Sequence, residues 1–488
     1  MNAKLLVAAV LILAVETIIW PTFALSFDFP YIFSDPLRTT PDVINKGVIL
    51  PGDSAPLPSS VQKDLSQPLT LSEAVDLALS NNQKIKSAWA DIKIQAGTLG
   101  EAYAAYLPTV TGAINWTKDK IDYSNSKYTS TSTDGFTYDV SGTLRLLDFG
   151  GRTANRRASE NLLAAALATH DATMQDALNE VIQNYFDAMT ANASIKTKSI
   201  NEQIAQDTLN SAKVREAKGV VSQSDTLRAT TALARASLDK NRAYGDYQKT
   251  LAVLGRILGL PGSAQILLPK DMEQKDGTES KELALWLEEA QKIHPAIIAA
   301  KKQLEAAEQQ VVVTKSAGLP TVNMSGSFYQ NSSPGTALTA TDTNEYTLTF
   351  KLTVPLFDGF ASTYKLRGAQ AQVEKKAAAL VDTERQVAMG IIKAYADATS
   401  TLRNLESSAT LLESAQSALT VSQRKYDKGA ADITELLSTQ AALADAWNER
   451  VRCLAEWNSA RLRLLANAGK MGRFAVANAP KPIPDPAK

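Results

Sequence analysis

The sequence predicts an α+β membrane protein built from two copies of one unit of helices and strands. Short motifs recur at an offset of about 210 residues, which indicates an internal duplication. Within each copy, a stretch of about 67 residues has helical spacing and almost no glycine or proline. Segments between these stretches alternate apolar and polar residues, as strands do. We therefore expect long helices joined to a sheet that meets lipid on one face.

Composition excludes several classes of function. The 488 residues carry 51 basic and 51 acidic side chains and no basic run, so nucleic acid is not an expected partner. A single cysteine, Cys453, cannot form an internal disulfide. The two histidines, His170 and His294, are too far apart in sequence for local metal-ligand spacing. We expect no metal and no cofactor.

The N-terminus has the pattern of an export signal. Lys4 precedes eleven apolar residues at positions 5–15, and the small residues Ala24 and Ser26 follow. This run is shorter than the roughly 20 residues of a transmembrane helix and matches the apolar region of a signal peptide. We assign residues 1–26 to a signal peptide, with a buried N-terminal helix as the alternative.

Proline-rich segments flank the duplicated part. Residues 27–68 hold seven prolines and form a predicted N-terminal extension, and the predicted C-terminal tail over residues 473–488 holds four more. No other stretch reaches 18 apolar residues, so a membrane crossing by helices is not expected. Either strands cross the membrane or the chain does not cross it.

The internal repeat defines the domain organisation. Three motifs occur in both copies, at offsets of 212, 209 and 210 residues: 107–110 and 319–322, 147–151 and 356–360, and 218–219 and 428–429. The division that follows is repeat 1 over residues 69–262, a linker over residues 263–282, and repeat 2 over residues 283–472.

Each repeat is predicted to contain one very long helix. Residues 152–218 have neither glycine nor proline, and their apolar residues fall in steps of three, four and seven. At 1.5 Å per residue this stretch makes a rod of about 100 Å. Residues 361–428 match it. A shorter helix follows each long one, over residues 222–258 and 432–466. Another helix precedes the strands of each repeat, over residues 71–106 and 283–317, with a break at Asn81-Asn82 in the first and at His294-Pro295 in the second.

Alternating segments predict two strands in each repeat. They lie near residues 108–118 and 136–147, and again near residues 320–329 and 345–356. Such alternation suits a transmembrane strand with a lipid face and an aqueous face, and it also suits a half-buried strand of a soluble sheet. The sequence offers no other apolar surface to cover these strands, which favours the membrane.

Four strands are too few to close a barrel. An open sheet edge in lipid leaves backbone groups without hydrogen-bond partners, which is strongly unfavourable. Two chains supply eight strands, and side chains fill the interior of an eight-stranded barrel. Three chains supply twelve strands, which leave room for solute. The expected assembly is a homotrimer with a 12-stranded β-barrel.

These features together resemble the outer-membrane efflux proteins of the TolC family. The resemblance covers about residues 68–472 and rests on the export signal, the Leu-Pro-Thr turn into each first strand, and the Asp and Gly residues after each second strand. The opening over residues 68–75, and a signal region without a cysteine that could accept a lipid, are similar to the type I secretion branch, which includes the CyaE-like proteins.

The resemblance implies a trimer with its 12-stranded barrel in outer-membrane lipid and a long-helix α-barrel crossing the periplasm. It implies a periplasmic adaptor and an inner-membrane ABC or RND transporter as partners. The expected function is the exit duct of a tripartite export machine for type I protein secretion. Multidrug efflux is the first alternative.

The resemblance also assigns site residues by position. The turns after the long helices are implied to dock the adaptor: Lys218, Gly219, Val220, Lys428, Gly429 and Ala430. The implied periplasmic gate is formed by Ser224, Asp225, Tyr426 and Glu435. Where the family's best-known member has an arginine and a second acidic residue, this chain has Ala431 and Ser438, so its gate network must differ.

Structural interpretations compete with these roles. Asp225 and Glu435 also fit first-turn carboxylates that stabilise a helix N-terminus. The glycines after the second strands are predicted to allow a strand-to-helix swivel: Gly150, Gly151 and Gly359. His170 and Cys453 are predicted packing residues.

Two further functions compete with an exit duct. One is a soluble periplasmic coiled-coil adaptor or scaffold, in which the strands form a small domain. The other is an uptake porin, although porins need more strands per chain and no long rods. No nucleophile-elbow, phosphate-loop or zinc-protease motif occurs, so we expect no enzyme.

Overall fold

The computed structural model describes residues 35–41, 67–122, 131–262, 264–269, 282–331 and 343–470. The predicted signal peptide and C-terminal tail, and most of the N-terminal extension, lie outside the described residues. Contacts divide the chain into two units, Met1–Thr40 and Pro41–Lys488. The described part of the first unit is a short turn in which the Asp35 carboxylate accepts the backbone N–H groups of Thr39 and Thr40 at 3.1 and 2.7 Å. The second unit holds all the elements below.

The described residues of both repeats contain the same elements in the same order. Repeat 1 has α1 (Leu71–Asn81), α2 (Gln83–Ala104), β1 (Thr109–Ile121), β2 (Thr131–Leu147), α3 (Gly151–Ala217) and α4 (Gln223–Ile257). Repeat 2 has α5 (Leu283–Ile293), α6 (Pro295–Ser316), β3 (Thr321–Asn331), β4 (Thr343–Thr353), α7 (Ala361–Asp427) and α8 (Ile433–Asn467). Helices α3 and α7 each have 67 residues, which confirms the predicted long helices.

Capping side chains explain the breaks in the preceding helices. Asn82 ends α1 and caps α2 by accepting the Lys84 N–H at 2.8 Å. In repeat 2, His294 takes this position, and its Nδ1 accepts the Ala296 N–H at 3.2 Å. Pro295 sits at the first helical position, where its missing N–H costs no hydrogen bond. Burial lowers the pKa of His294, which favours the neutral imidazole that can accept this bond.

The four strands form one antiparallel sheet in the order β1-β2-β3-β4. The register places apolar side chains opposite one another across all three pairings: Ile114 and Tyr138, Val140 and Phe328, and Met324 and Phe350. The other face carries many hydroxyl and amide side chains, together with charged ones such as Asp139 and Lys351. The apolar face is exposed on β4, where Tyr346 is 79% accessible, so it requires a cover such as lipid.

Several strand bounds differ from the prediction. Strand β1 continues past residue 118 to Ile121, and β2 begins before residue 136, at Thr131. In the added part of this pairing, Lys118 lies opposite Asp134, and a cross-strand pair of opposite charge is favourable. Strand β4 ends before the predicted residue 356. Pro355 follows this end, and it has no N–H for the sheet ladder.

The strand-to-helix junctions correct the predicted alignment of the repeats. Two consecutive residues are left-handed at each junction, Phe149 and Gly150 (φ 52° and 88°) and then Gly359 and Phe360 (φ 65° and 66°). The offset here is therefore 210 residues rather than 209. Asp148 and Asp358 also occupy matching positions: each carboxylate accepts the N–H four residues later at 2.8 Å.

Gly151 differs from the swivel prediction. Its φ is not among the positive values of the chain, so conformational freedom does not explain this glycine. A Cβ at Gly151 would collide with Oγ of Ser316 at the end of α6. Close packing of α3 against α6 is the physical reason for glycine here.

An apolar core joins the two repeats near the middle of the long helices. Leu69 enters it, donating its N–H to the Leu267 carbonyl at 2.8 Å and accepting the Tyr185 hydroxyl at 2.9 Å. Leu254 of α4 and Leu462 of α8 belong to the same cluster. Burial raises the pKa of Tyr185, so its hydroxyl stays neutral and able to donate. Among the described helices, none has both the length and the hydropathy needed to span a bilayer.

Candidate functional site at the helix tips

The predicted adaptor-docking residues form two matching turns, which we call tip 1 (residues 218–222) and tip 2 (residues 428–432). Gly219 and Gly429 take left-handed conformations with φ of 72° and 74°. Val220 and Ala430 each donate their N–H to the carbonyl five residues earlier, at 2.9 and 2.8 Å. This is the hydrogen-bond pattern with which many helices end at glycine. Both tips are solvent-exposed, and Val220 is 65% accessible.

At tip 1, Asp225 takes part in a helix cap. Its carboxylate accepts the Ser222 N–H at 3.2 Å, at the start of α4. Ser222 and Asp225 thereby form a capping box that satisfies free N–H groups of the helix N-terminus. Ser224, the other gate candidate here, is exposed.

At tip 2, Glu435 has a different partner. Asp432 is the N-cap of α8 and accepts the Glu435 N–H at 2.9 Å. The Glu435 carboxylate pairs with Nζ of Lys425, on the last turn of α7, at 3.3 Å. Both side chains are about half accessible, 52% for Lys425 and 44% for Glu435, so solvent screens this ion pair.

Tyr426 is buried and is held by an arginine of the other repeat. The Arg215 guanidinium lies 4.4 Å from the centre of the Tyr426 ring. Arg215 also donates to the carbonyls of Tyr426 at 2.7 Å and Asp427 at 3.0 Å. Burial raises the pKa of Tyr426, and Arg215 opposes that effect. The Tyr426 hydroxyl is buried without a hydrogen-bond partner among the described residues.

The four gate candidates thus do not form one hydrogen-bonded group within the described chain. Two arginines that the sequence analysis did not single out join the tips instead. Arg215 does so as described, and Nη1 of Arg228 on α4 donates to Oγ1 of Thr434 on α8 at 2.7 Å. Ser438, which replaces an acidic residue of the family pattern, bonds only the Glu435 carbonyl of its own helix among the described contacts, at 3.2 Å.

A sequence signal for Arg215 existed, but its target did not show in the sequence. Basic residues in the last helical turn often bond the free carbonyls there. Arg215 fits that rule in position, yet it bonds carbonyls of α7 rather than those of α3. An apolar cluster of all four helices lies beneath these contacts: Leu209, Ala212, Ala229, Tyr426, Ile433 and Leu436.

The remaining chemically active side chains are packing residues in the structure. His170 is buried with its ring 4.7 Å from that of Trp89. Cys453 is buried beside Leu405 and Trp457. Within the described ranges, no group of three His, Cys, Asp or Glu side chains is arranged to hold a metal ion.

Comparison with known proteins decides the family. The family model described as outer membrane efflux protein matches residues 74–260 and 286–470, one segment in each repeat. The chain belongs to the outer membrane efflux protein family. It is therefore a channel protein of the outer membrane that extends into the periplasm, which confirms the resemblance to the TolC family. The alternative of a soluble adaptor is wrong.

Curated relatives of this efflux family member include the following three proteins. Protein CyaE of Bordetella pertussis is 32% identical over 470 residues, covering 96% of this chain and 97% of that protein. The pyoverdine export outer membrane protein OpmQ of Pseudomonas putida is 24% identical, with 78% and 82% covered. The outer membrane efflux protein BepC of Brucella suis is 23% identical, with 84% and 86% covered.

Solved structures share the fold of the efflux family member. The Campylobacter jejuni CmeC outer membrane channel superposes with a TM-score of 0.74 at 16% identity, covering 83% of this chain and 86% of that one. Outer membrane protein VceC of Vibrio cholerae gives a TM-score of 0.71 at 20% identity, covering 82% and 96%.

Proposed function

We propose that this protein is the outer-membrane exit duct of a tripartite export machine and that it serves type I protein secretion. The observation that carries the proposal is the match to CyaE, at 32% identity over nearly the whole of both chains. OpmQ and BepC match at 23–24% identity over 78–84% of this chain. The type I branch includes the CyaE-like proteins, so this difference in identity and coverage supports the type I proposal.

The proposed assembly is a homotrimer with a 12-stranded barrel. Strands β1 and β4 are the edges of the described sheet, and each edge requires a partner in lipid. Pairing β4 of one copy with β1 of the next keeps the sheet antiparallel and closes it after three copies. The apolar face then meets outer-membrane lipid, and the hydroxyl-rich face lines the duct. The proposed chain order is a signal peptide, an extension, repeat 1 (69–262), a linker, repeat 2 (283–472) and a tail.

The proposed partners dock at the opposite end. Tip 1 and tip 2 present exposed glycine turns to a periplasmic adaptor, which links the duct to an inner-membrane ABC or RND transporter. We place the periplasmic gate just inside the tips, where copies of Ser224, Asp225, Tyr426 and Glu435 approach the trimer axis. Carboxylates converging there favour cations. At the other end of α3 and α7, the left-handed Gly150 and Gly359 set the swivel between strand and helix.

Multidrug efflux is the second candidate function. The relatives that favour it are OpmQ and BepC, whose names state export and efflux. The duct wall is polar under either function, so the wall does not separate them.

A deletion strain tests the proposal. We expect the strain to lose at least one polypeptide from the culture medium while ethidium efflux is unchanged, and a plasmid copy of the wild-type chain to restore it. Faster ethidium accumulation with an unchanged set of secreted proteins would favour drug efflux instead. No change in either measurement would contradict the exit-duct function.

A further inference from the structure

The polar face of the sheet carries charges in two separate rows. A row here means the residues that lie side by side across β2, β3 and β4 in the observed register. The basic row consists of Arg145, Asn323 and Lys351, and the acidic row of Asp139, Tyr329 and Glu345. The acidic row lies six positions before the basic row on both β2 and β4. Each row therefore holds two charges of one sign.

Uncharged hydroxyl side chains separate the two rows. They come from all four strands: Thr109, Thr143, Ser325 and Thr349 next to the basic row, and Thr111, Ser141, Ser327 and Thr347 next to the acidic row. At about 3.4 Å per residue, six positions span about 20 Å along a strand. Strands in a closed barrel tilt by about 35–45°, which leaves about 15 Å along the barrel axis. Physiological salt screens charges over about 8 Å, so each row acts on solutes separately.

The charged side chains of both rows are accessible to solutes. Three of them are exposed and Asp139 is half-buried, and none of the four forms an ion pair in the part of the chain that the structure describes. Glu345 accepts a hydrogen bond from the Thr347 hydroxyl at 3.1 Å. The carboxylate that follows β2, Asp148, pairs with Arg152 at 3.1 Å, and this ion pair is neutral overall. The positive charge of the basic row is therefore not cancelled from that side.

Neither the internal repeat nor sheet stability explains this separation of charge. The positions 210 residues after Asp139 and Arg145 hold Thr349 and Pro355, so the rows arise from the sheet register and not from the duplication. Opposite charges on neighbouring strands would stabilise a sheet, whereas like charges gathered in one row repel. A role towards passing solutes accounts for an arrangement that the fold itself does not favour.

We propose that Arg145 and Lys351 attract anionic groups of solutes inside the membrane part of the duct, and that Asp139 and Glu345 attract cationic groups beyond them. The inference rests on the proposed barrel and specifies its charge selectivity. With two charges from each of three chains, each row becomes a belt of six like charges. The basic belt lies nearer the strand ends that lead into α3 and α7. A solute leaving the periplasm thus meets positive charge first, opposite in sign to the carboxylates of the proposed gate.

Three consecutive residues of β4 provide the test. Thr349 is two positions from Lys351, and Thr347 is two positions from Glu345, both on the polar face. Leu348 lies between them on the apolar face. Each of the three is replaced by cysteine, one at a time, so that its thiol reports the local charge.

The cysteine variants are made in the full-length chain with Cys453→Ser, which leaves one thiol per chain. Intact cells are treated with anionic 2-sulfonatoethyl methanethiosulfonate or with cationic 2-(trimethylammonio)ethyl methanethiosulfonate. The unreacted thiol is then measured with a fluorescent maleimide on the isolated trimer. Each rate is divided by the rate of the same reagent with free cysteine, which removes the difference in intrinsic reactivity.

We expect the ratio of anionic to cationic rates to be about tenfold higher at Thr349→Cys than at Thr347→Cys in dilute salt. This difference should fall to about twofold in 1 M salt, because ions screen the belts. Leu348→Cys should react more slowly than both with either reagent. Equal ratios at the two threonine positions would overturn the inference. No reaction at either position would contradict the water-filled barrel of the proposed function itself.

Charge variants identify the source of the preference. Arg145→Gln with Lys351→Gln should lower the ratio at Thr349→Cys by about tenfold and change the ratio at Thr347→Cys by less than about threefold. The matched control exchanges the two side chains, Arg145→Lys with Lys351→Arg, and should keep both ratios because the charge is kept. A ratio at Thr349→Cys that neutralisation leaves unchanged would overturn the inference.

Ion preference in planar bilayers gives a second measurement that needs no cysteine. The background is Asp225→Ala with Glu435→Ala, so that the gate carboxylates do not set the preference. Neutralising the basic row on this background should raise the cation-to-anion permeability ratio by about threefold, and Asp139→Asn with Glu345→Gln should lower it. Reversal potentials in a salt gradient measure both ratios. Reversal potentials that neither pair of substitutions shifts would overturn the inference.

Discussion

Tip 1 and tip 2 share a backbone but differ in their side-chain contacts. Both turn at a left-handed glycine, Gly219 or Gly429, after a lysine. Arg215 and its counterpart 210 positions later, Lys425, occupy the same place before the turn. Arg215 donates to the Tyr426 carbonyl of the other repeat, whereas Lys425 pairs with Glu435 of its own repeat. The two turns share a backbone because local caps fix it, whereas the side chains around them make different contacts.

The largest expected difference between the tips concerns these two basic residues. We expect Arg215→Ala to lower the free energy of unfolding by about 3 kcal/mol, because two charge-assisted hydrogen bonds to carbonyls are lost. Lys425→Ala removes only a screened surface pair and should cost less than about 1 kcal/mol. Thermal unfolding in detergent, followed by far-UV circular dichroism, measures both.

Arg215→Lys sharpens this test. A lysine keeps the charge but cannot bond two carbonyls and stack on a ring as a planar guanidinium does, so it should recover only a small part of the loss. Equal losses for Arg215→Ala and Lys425→Ala would mean that the two tips are energetically alike.

The two swivel junctions offer the next comparison, because glycine and phenylalanine exchange places between them. Gly150→Ala forces a side chain into the left-handed region and should cost about 1–2 kcal/mol. Phe360→Gly relieves the same strain, but it frees the unfolded chain and removes the ring contact with Phe357, so we expect a nearly neutral change. The same unfolding measurement applies, and a Gly150→Ala protein as stable as wild type would exclude backbone strain at this junction.

Replacing the two gate carboxylates, Asp225 and Glu435, should have different effects on stability and a joint effect on conductance. Asp225→Ala removes one half of a capping box, at about 1 kcal/mol, whereas Glu435→Ala removes only a surface pair. If three copies of each carboxylate line the aperture, the double variant should lower cation preference and raise the resting conductance in planar bilayers. Unchanged conductance and preference would mean that both carboxylates serve only the helices of their own chain.

The smallest expected effect is a pH dependence of stability, which we expect from the helix break at His294 and not from the one at Asn82. Burial lowers the pKa of His294, so the unfolded chain binds a proton at higher pH than the folded chain does. The stabilisation from neutral His294 is therefore complete above its usual pKa of about 6.5 and is lost as the pH falls towards the lowered value. Asn82 caps the matching break without titrating.

His294→Asn should thus remove part of the loss of stability between about pH 7.5 and 5.5. The measurement is the unfolding midpoint of the wild type and the variant across this range. Parallel curves for the two proteins would show that His294 does not contribute to the pH dependence.

Periodicity was sufficient to predict the helices and strands, because rods of 67 residues and alternating strands leave strong patterns. The breaks at Asn81-Asn82 and His294-Pro295 were also visible, since capping is local. The reason for Gly151 was not visible, because it depends on Ser316 arriving from a distant helix. Asp148 and Asp358 were misaligned by one residue, since the order of glycine and phenylalanine around them is exchanged.

The candidate site was less predictable than the fold. Repeat symmetry located both tips and the capping carboxylates. The contacts of Arg215 and Arg228, however, depend on how α3 and α4 lie beside α7 and α8. A sequence pattern carries no information on that placement. The family pattern gave positions for a gate, and at Ser438 this chain departs from it.

The equal lengths of α3 and α7 limit how such a molecule can evolve or be redesigned. Inserting one residue into either helix would raise one tip by about 1.5 Å and turn everything beyond it by about 100°. The two tips would no longer be level, and the contacts of α3 and α4 with α7 and α8 would lose register. A longer or shorter reach is accessible only through paired edits in both helices, in steps of about seven residues that restore the same face.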